Sequence, residues 1–119
     1  MFKTNLQILK SKGVGYKSGK IYGLGASTKF NVVLQYCGIG PELITAIGEV
    51  NPYKYGKVTP GTNIPIIPEE EVLSAKPDVL VIGPYHFRDS FIKRLESFVN
   101  KGGLVIFPLP DLEFYSVRD

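Results

Sequence analysis

The chain has 119 residues, 44% hydrophobic and 21% charged, which suits one globular domain with a real core and excludes both a disordered segment and two ordinary domains. Its apolar runs fall far short of the ~20 residues a membrane span needs. A net charge of +3, with the lysines spread along the chain, does not demand nucleic acid and equally suits a phosphorylated small molecule or an acidic partner surface. Cys37 is the sole cysteine, so an internal disulfide and a cysteine-cluster metal site are ruled out. The first residues carry no apolar stretch followed by a cleavage site, and cytoplasm is the expected location.

In chain order, Leu6, Ile8 and Leu9 among polar residues fit a short helix over 5–12, followed by a glycine-rich loop to Gly19; together these form an N-terminal helix and linker, 1–19, ahead of the main domain, 20–119. Ile21 and Tyr22 suit a strand, Gly23 and Gly25 a tight turn, and Val32, Val33 and Tyr36 recur at helical spacing over 27–36, where Gly38 and Gly40 end the helix. The apolar run 43–50 reads as a second, buried strand. A long polar loop over 51–63 leads to an edge strand at 64–67, where prolines are tolerated. Pro68 and three glutamates then open a helix to Ala75. Residues 79–82 form the clearest buried strand, and a second strand-to-helix turn over 83–89 leads to a helix through Phe91, Leu95 and Val99 to Asn100. Strand 104–107 and an edge strand over 112–117 complete the set. Regular alternation of strand and helix predicts an α/β fold: a single-domain, three-layer Rossmann-like sandwich with a mostly parallel sheet, its first strand central and strand 79–82 beside it.

That order brings the turn after Tyr22 and the turn after Ile82 together at the topological switch point, where open α/β sheets take ligands. A helix start exposes unpaired N–H groups with partial positive charge, so Gly25, Ala26, Ser27 and Thr28 can present amides and hydroxyls to an anion, with Lys29 adding a full charge. The pattern has two glycines of the dinucleotide fingerprint but Thr28 in place of the third, and it also fits a plain turn in which Ser27 or Thr28 caps the helix. Glu49, a little over twenty residues on, stands where such folds read a ribose hydroxyl, or is a solvated loop carboxylate. In the second turn, His86 can exchange a proton and Arg88 can grip phosphate or carboxylate, with Tyr85 beside them; alternatively His86 caps a helix and Arg88 pairs with a nearby acid.

Several ordered stretches together carry a family resemblance: 22–29 with Asn31, 35–39, 49–52 with Lys54 and Gly56, 59–62 with 64–66, 76–78, 86–89, and 102–103 with 107–110. Over about 20–113 the chain resembles the C-terminal domain of the S-adenosylmethionine-dependent sugar C-methyltransferases. The resemblance implies a Rossmann-like domain that, with a separate methyltransferase domain holding S-adenosylmethionine, encloses a nucleotide-diphosphate sugar. It further implies that Ser27, Thr28, Lys29 and Asn31 face the phosphates, that Glu49 and Asn51 lie near ribose or base, and that Tyr85, His86 and Arg88 line the same crevice. Phe30 departs from the glycine usual after the lysine, and Tyr85 from the tryptophan often found before His86. No cofactor is expected in this chain itself; its implied partners are the nucleotide sugar and a methyltransferase domain or subunit, without nucleic acid or membrane. The competing expectations are a stand-alone domain whose turn binds S-adenosylmethionine or NAD, and a protein-interaction module with an empty crevice.

Overall fold

The computed structural model describes residues 2–12, 20–84 and 87–116. In chain order its elements are α1 (Phe2–Lys12), β1 (Ile21–Leu24), α2 (Thr28–Cys37), β2 (Ile47–Glu49), a single 3₁₀ turn (Pro52–Lys54), β3 (Ile66–Pro68), α3 (Glu69–Ser74), β4 (Val79–Ile82), α4 (Arg88–Arg94), α5 (Glu96–Asn100), β5 (Leu104–Phe107) and β6 (Glu113–Tyr115). The six strands form one sheet in the order β3-β2-β1-β4-β5-β6. The first five run parallel, and β6 closes the edge antiparallel to β5. This is the Rossmann-like α/β sandwich, with β1 between β2 and β4.

Strand β4 shows why the sheet must be covered on both faces. All four of its residues are fully buried, and successive side chains point to opposite sides. Val79 and Val81 enter a core with Phe30, Leu34 and Ile47 from α2 and β2, while Leu80 and Ile82 enter another with Val72 of α3, Phe91 of α4, Val99 of α5 and Leu95 between the last two. Each such side chain contributes about 1.5–3 kcal/mol when taken from water. Helix α1 packs on the first core, for Phe2 and Leu6 are buried there.

Three elements differ from the periodicity. The second strand is shorter than the apolar run that suggested it, because the N–H groups of Leu43 and Ile44 both donate to the carbonyl of Gly40, at 3.0 and 3.1 Å, and hold that half in a turn. Those two side chains are buried all the same, so the run is apolar without being extended. The helix expected to reach Asn100 is two helices, broken at Leu95, where φ is −99° and ψ 13°. Phe91, Leu95 and Val99 nonetheless enter one core, which is why the helical spacing survives the break. The edge strand near Ile64 lies slightly later, at β3. Among the described residues, no helix is long and apolar enough to cross a membrane.

Candidate functional site

The two strand-to-helix turns touch. Gly25 sits at φ +83°, a left-handed conformation that side chains resist, and a Cβ there would stand 2.3 Å from Cδ of Pro84 in the opposite turn. Gly83 leaves room in the same way for the ring of Phe30, since an added Cβ would lie 2.6 Å from that ring and 2.5 Å from the carbonyl oxygen of Gly25. Phe30 is fully buried, a packing residue that wedges β1 against the turn after β4.

Above these turns, at the carboxyl ends of β1, β2 and β4, lies a cleft of about 380 Å³, near the small end of ligand pockets, which run from about 300 to 1,000 Å³. It is lined by Gly25, Ala26 and Ser27 of the turn after β1, by Glu49, Val50 and Lys54 at and beyond the end of β2, and by Phe87, Phe91 and Arg94 beyond β4. Of these, Val50 and Phe87 are exposed apolar side chains.

The polar groups of this cleft are already organised. The N–H of Ala26 donates to Oε1 of Glu49 at 3.0 Å, and the N–H groups of Val50 and Asn51 donate to its Oε2, also at 3.0 Å. Nζ of Lys54 donates to the carbonyl of Ala26 at 2.9 Å and lies 3.7 Å from Oε1 of Glu49. A closed ring of interactions thus joins the Gly-rich turn to the end of β2. Burial is the largest single influence on the Glu49 carboxyl and pushes its pKa up. The N–H groups of Asn51 and Ala26, the Lys54 charge and the N–H of Val50 together outweigh burial and hold the carboxyl below its ordinary 4.5. Across the cleft, Arg94 pairs with Glu69 at the start of α3 and lies 4.8 Å over the ring of Phe91.

The site residues expected from sequence therefore divide. Gly25, Ala26, Ser27 and Glu49 come together in the cleft. Ser27 is the N-cap of α2, its Oγ accepting from the N–H of Phe30 at 3.2 Å. Asn51 caps the 3₁₀ turn, its Oδ1 accepting from Tyr53 at 3.1 Å. Thr28 and Lys29 line a separate depression of about 390 Å³ with Val32, Val33, Leu109 and Pro110. Oδ1 of Asn31 is buried without a hydrogen-bond partner among the described residues. Arg88 takes the pairing alternative: its Nε donates to Glu113 at 2.8 Å, a second nitrogen to the other Glu113 oxygen, and a third to Asp89 at 3.2 Å. Tyr85 and His86 lie outside the described residues. Lys54 and Arg94 are the basic residues of the cleft, and the sequence does not single them out as ligand contacts. Lys54 lies in one of the stretches that carry the resemblance, and Arg94 stands four residues after Ser90 on a helix that follows the second turn, so both have a positional signal. No grouping of metal-binding side chains occurs among the described residues.

A parallel sheet in the 3-2-1-4-5 order, with a cleft where the turns after β1 and β4 meet, defines an α/β domain of the doubly wound class. Residues 4–110 match the family described as C-methyltransferase C-terminal domain, and the chain belongs to that family. It is also 30% identical over 100 residues to the C-methyltransferase NovU of Streptomyces niveus, an alignment covering 84% of this chain and 24% of that protein. The chain thus spans about a quarter of the length of this curated relative.

Proposed function

We propose that this domain binds the nucleotide-sugar substrate of an S-adenosylmethionine-dependent sugar C-methyltransferase and holds no methyl donor itself, the donor belonging to a separate methyltransferase domain or subunit. The observation that carries this reading is the cleft at the meeting of the two turns, where the polar groups of Ser27, Lys54 and Arg94 share a lining with the exposed apolar side chains of Val50 and Phe87. Its small volume suits part of a nucleotide sugar, with the remainder covered by another domain. Lys54 and Arg94 are the groups that meet phosphates and Ser27 a hydroxyl, while Thr28 and Lys29 line a separate depression. Glu49 supports the wall.

Titration calorimetry of the chain with a nucleotide-diphosphate sugar and, separately, with S-adenosylmethionine and NAD tests this. Binding of the sugar nucleotide alone is expected, weakened several-fold by Arg94→Ala and less by Lys29→Ala. Binding of S-adenosylmethionine or NAD instead would overturn the reading, and a domain that binds none of them yet retains a methyltransferase domain would be an interaction module.

A further inference from the structure

In a dinucleotide-binding fold the pyrophosphate rests on the N–H groups of the Gly-rich turn, and the acid at the end of β2 accepts from a ribose hydroxyl. Here the two features are spent on each other. The Ala26 N–H that would meet the phosphate already donates to the Glu49 carboxylate. That carboxylate has room for about four donors, and three backbone N–H groups hold it, with the Lys54 ammonium at 3.7 Å beside one of its oxygens. The side chain of Glu49 is 10% exposed, so water does little to loosen this arrangement.

We propose that Glu49 is a specificity-determining residue: its carboxylate occupies, from within the chain, the anion position of the Gly-rich turn, so that the turn rejects pyrophosphate and leaves no acceptor pair for a ribose diol. An incoming phosphate at Ala26 must displace a charged group held by three N–H donors and then remain beside its negative charge. The other charged groups on the cleft do not remove this barrier. Lys54 faces Glu49 and Arg94 is paired with Glu69, so the two cations are matched by two carboxylates. Where the nucleotide sugar of the proposed function is bound, its diphosphate therefore lies outside the turn, toward Lys54 and Arg94, and an uncharged portion faces Glu49. That consequence rests on the proposed function; the rejection at the turn does not.

Inorganic pyrophosphate is the probe, and the amide resonance of Ala26 in the isotopically labelled chain is the readout. The expected result is an Ala26 amide that does not move in the wild type but titrates in Glu49→Ala, with pyrophosphate held about tenfold or more tightly, as loss of one charge-assisted competitor implies. Glu49→Gln keeps the shape of the side chain and is expected to show a smaller gain; it carries the test if the alanine variant does not fold. A wild-type Ala26 amide that titrates with pyrophosphate overturns the proposal, and so does a folded variant whose Ala26 amide stays unmoved. A wild type that fails to bind any nucleotide sugar defeats the proposed function and leaves this assignment standing, because pyrophosphate at Ala26 is read independently.

Discussion

Glu49 and Glu113 both sit at strand ends and both face a basic side chain, yet they do different work. Glu49 is buried and takes its hydrogen bonds from the backbone of two separate segments, Ala26 on one side and Val50 and Asn51 on the other, with Lys54 as a more distant partner. Glu113 is 42% exposed and takes its hydrogen bonds from one side chain, Arg88, whose guanidinium also lies 5.5 Å over the ring of Phe107. The first carboxylate shapes the wall of the cleft, and the second clasps the edge strand to the start of α4. A charge that satisfies backbone donors in a dry place is part of the fold; a charge that meets another charge in water is an ornament on it.

The largest expected effect follows from removing the buried member. Glu49→Ala leaves three N–H groups without their acceptor and Lys54 without its counter-charge, and should destabilise the domain by about 3–5 kcal/mol. Urea denaturation monitored by circular dichroism measures it; a loss below about 1 kcal/mol would erase the distinction between the two carboxylates. Acid separates them next. The folded pKa of Glu49 is depressed, so its contribution is complete above the unfolded value near 4.5 and is lost as pH falls through the lower folded value. Stability should therefore drop on acidification below about pH 4.5, and Glu49→Gln should flatten that limb. Glu113 is also held below 4.5, by its Arg88 hydrogen bonds, but its exposure makes its share of the acid limb the smaller one. A Glu49→Gln profile as steep as that of the wild type would count against this division.

How much of this could be read beforehand depends on distance along the chain. Strands β1, β4 and β5 were legible, since each is a short β-branched or aromatic run whose burial is total or nearly so. The meeting of the two turns was legible too, because strand order follows from the alternation of elements. What was not legible turned on contacts that no local pattern carries. The apolar residues Leu43 and Ile44 look the same to a periodicity argument whether they lie in a strand or in a turn closed on Gly40. Arg88 pairs with Glu113, 25 residues later, and the sequence offers several other acids as equal candidates. Glu49 was visible as the acid after the second strand; that its oxygens would be filled by backbone rather than by a ligand depends on the Gly25 bend, which turns the Ala26 N–H toward it.

The smaller effects concern the exposed pair. Glu113→Ala should cost at most about 1 kcal/mol, because the carboxylate and guanidinium are both well solvated once separated. Its visible consequence should be local: faster amide exchange in Glu113–Tyr115, whose strand pairs with β5 at the edge of the sheet, with β1 and β4 unaffected. A double-mutant cycle with Arg88→Ala isolates the pair itself. Salt then provides the finest discrimination. At 1 M the screening length is about 3 Å, so the coupling between Arg88 and Glu113 should fall to within about 0.3 kcal/mol of zero. The loss caused by Glu49→Ala should persist under the same salt, since its donors are backbone N–H groups in contact with a carboxylate that the solvent barely reaches. If both losses fell together with added salt, the Glu49 arrangement would be an ordinary solvated ion pair, and the closure of the Gly-rich turn would lose its physical basis.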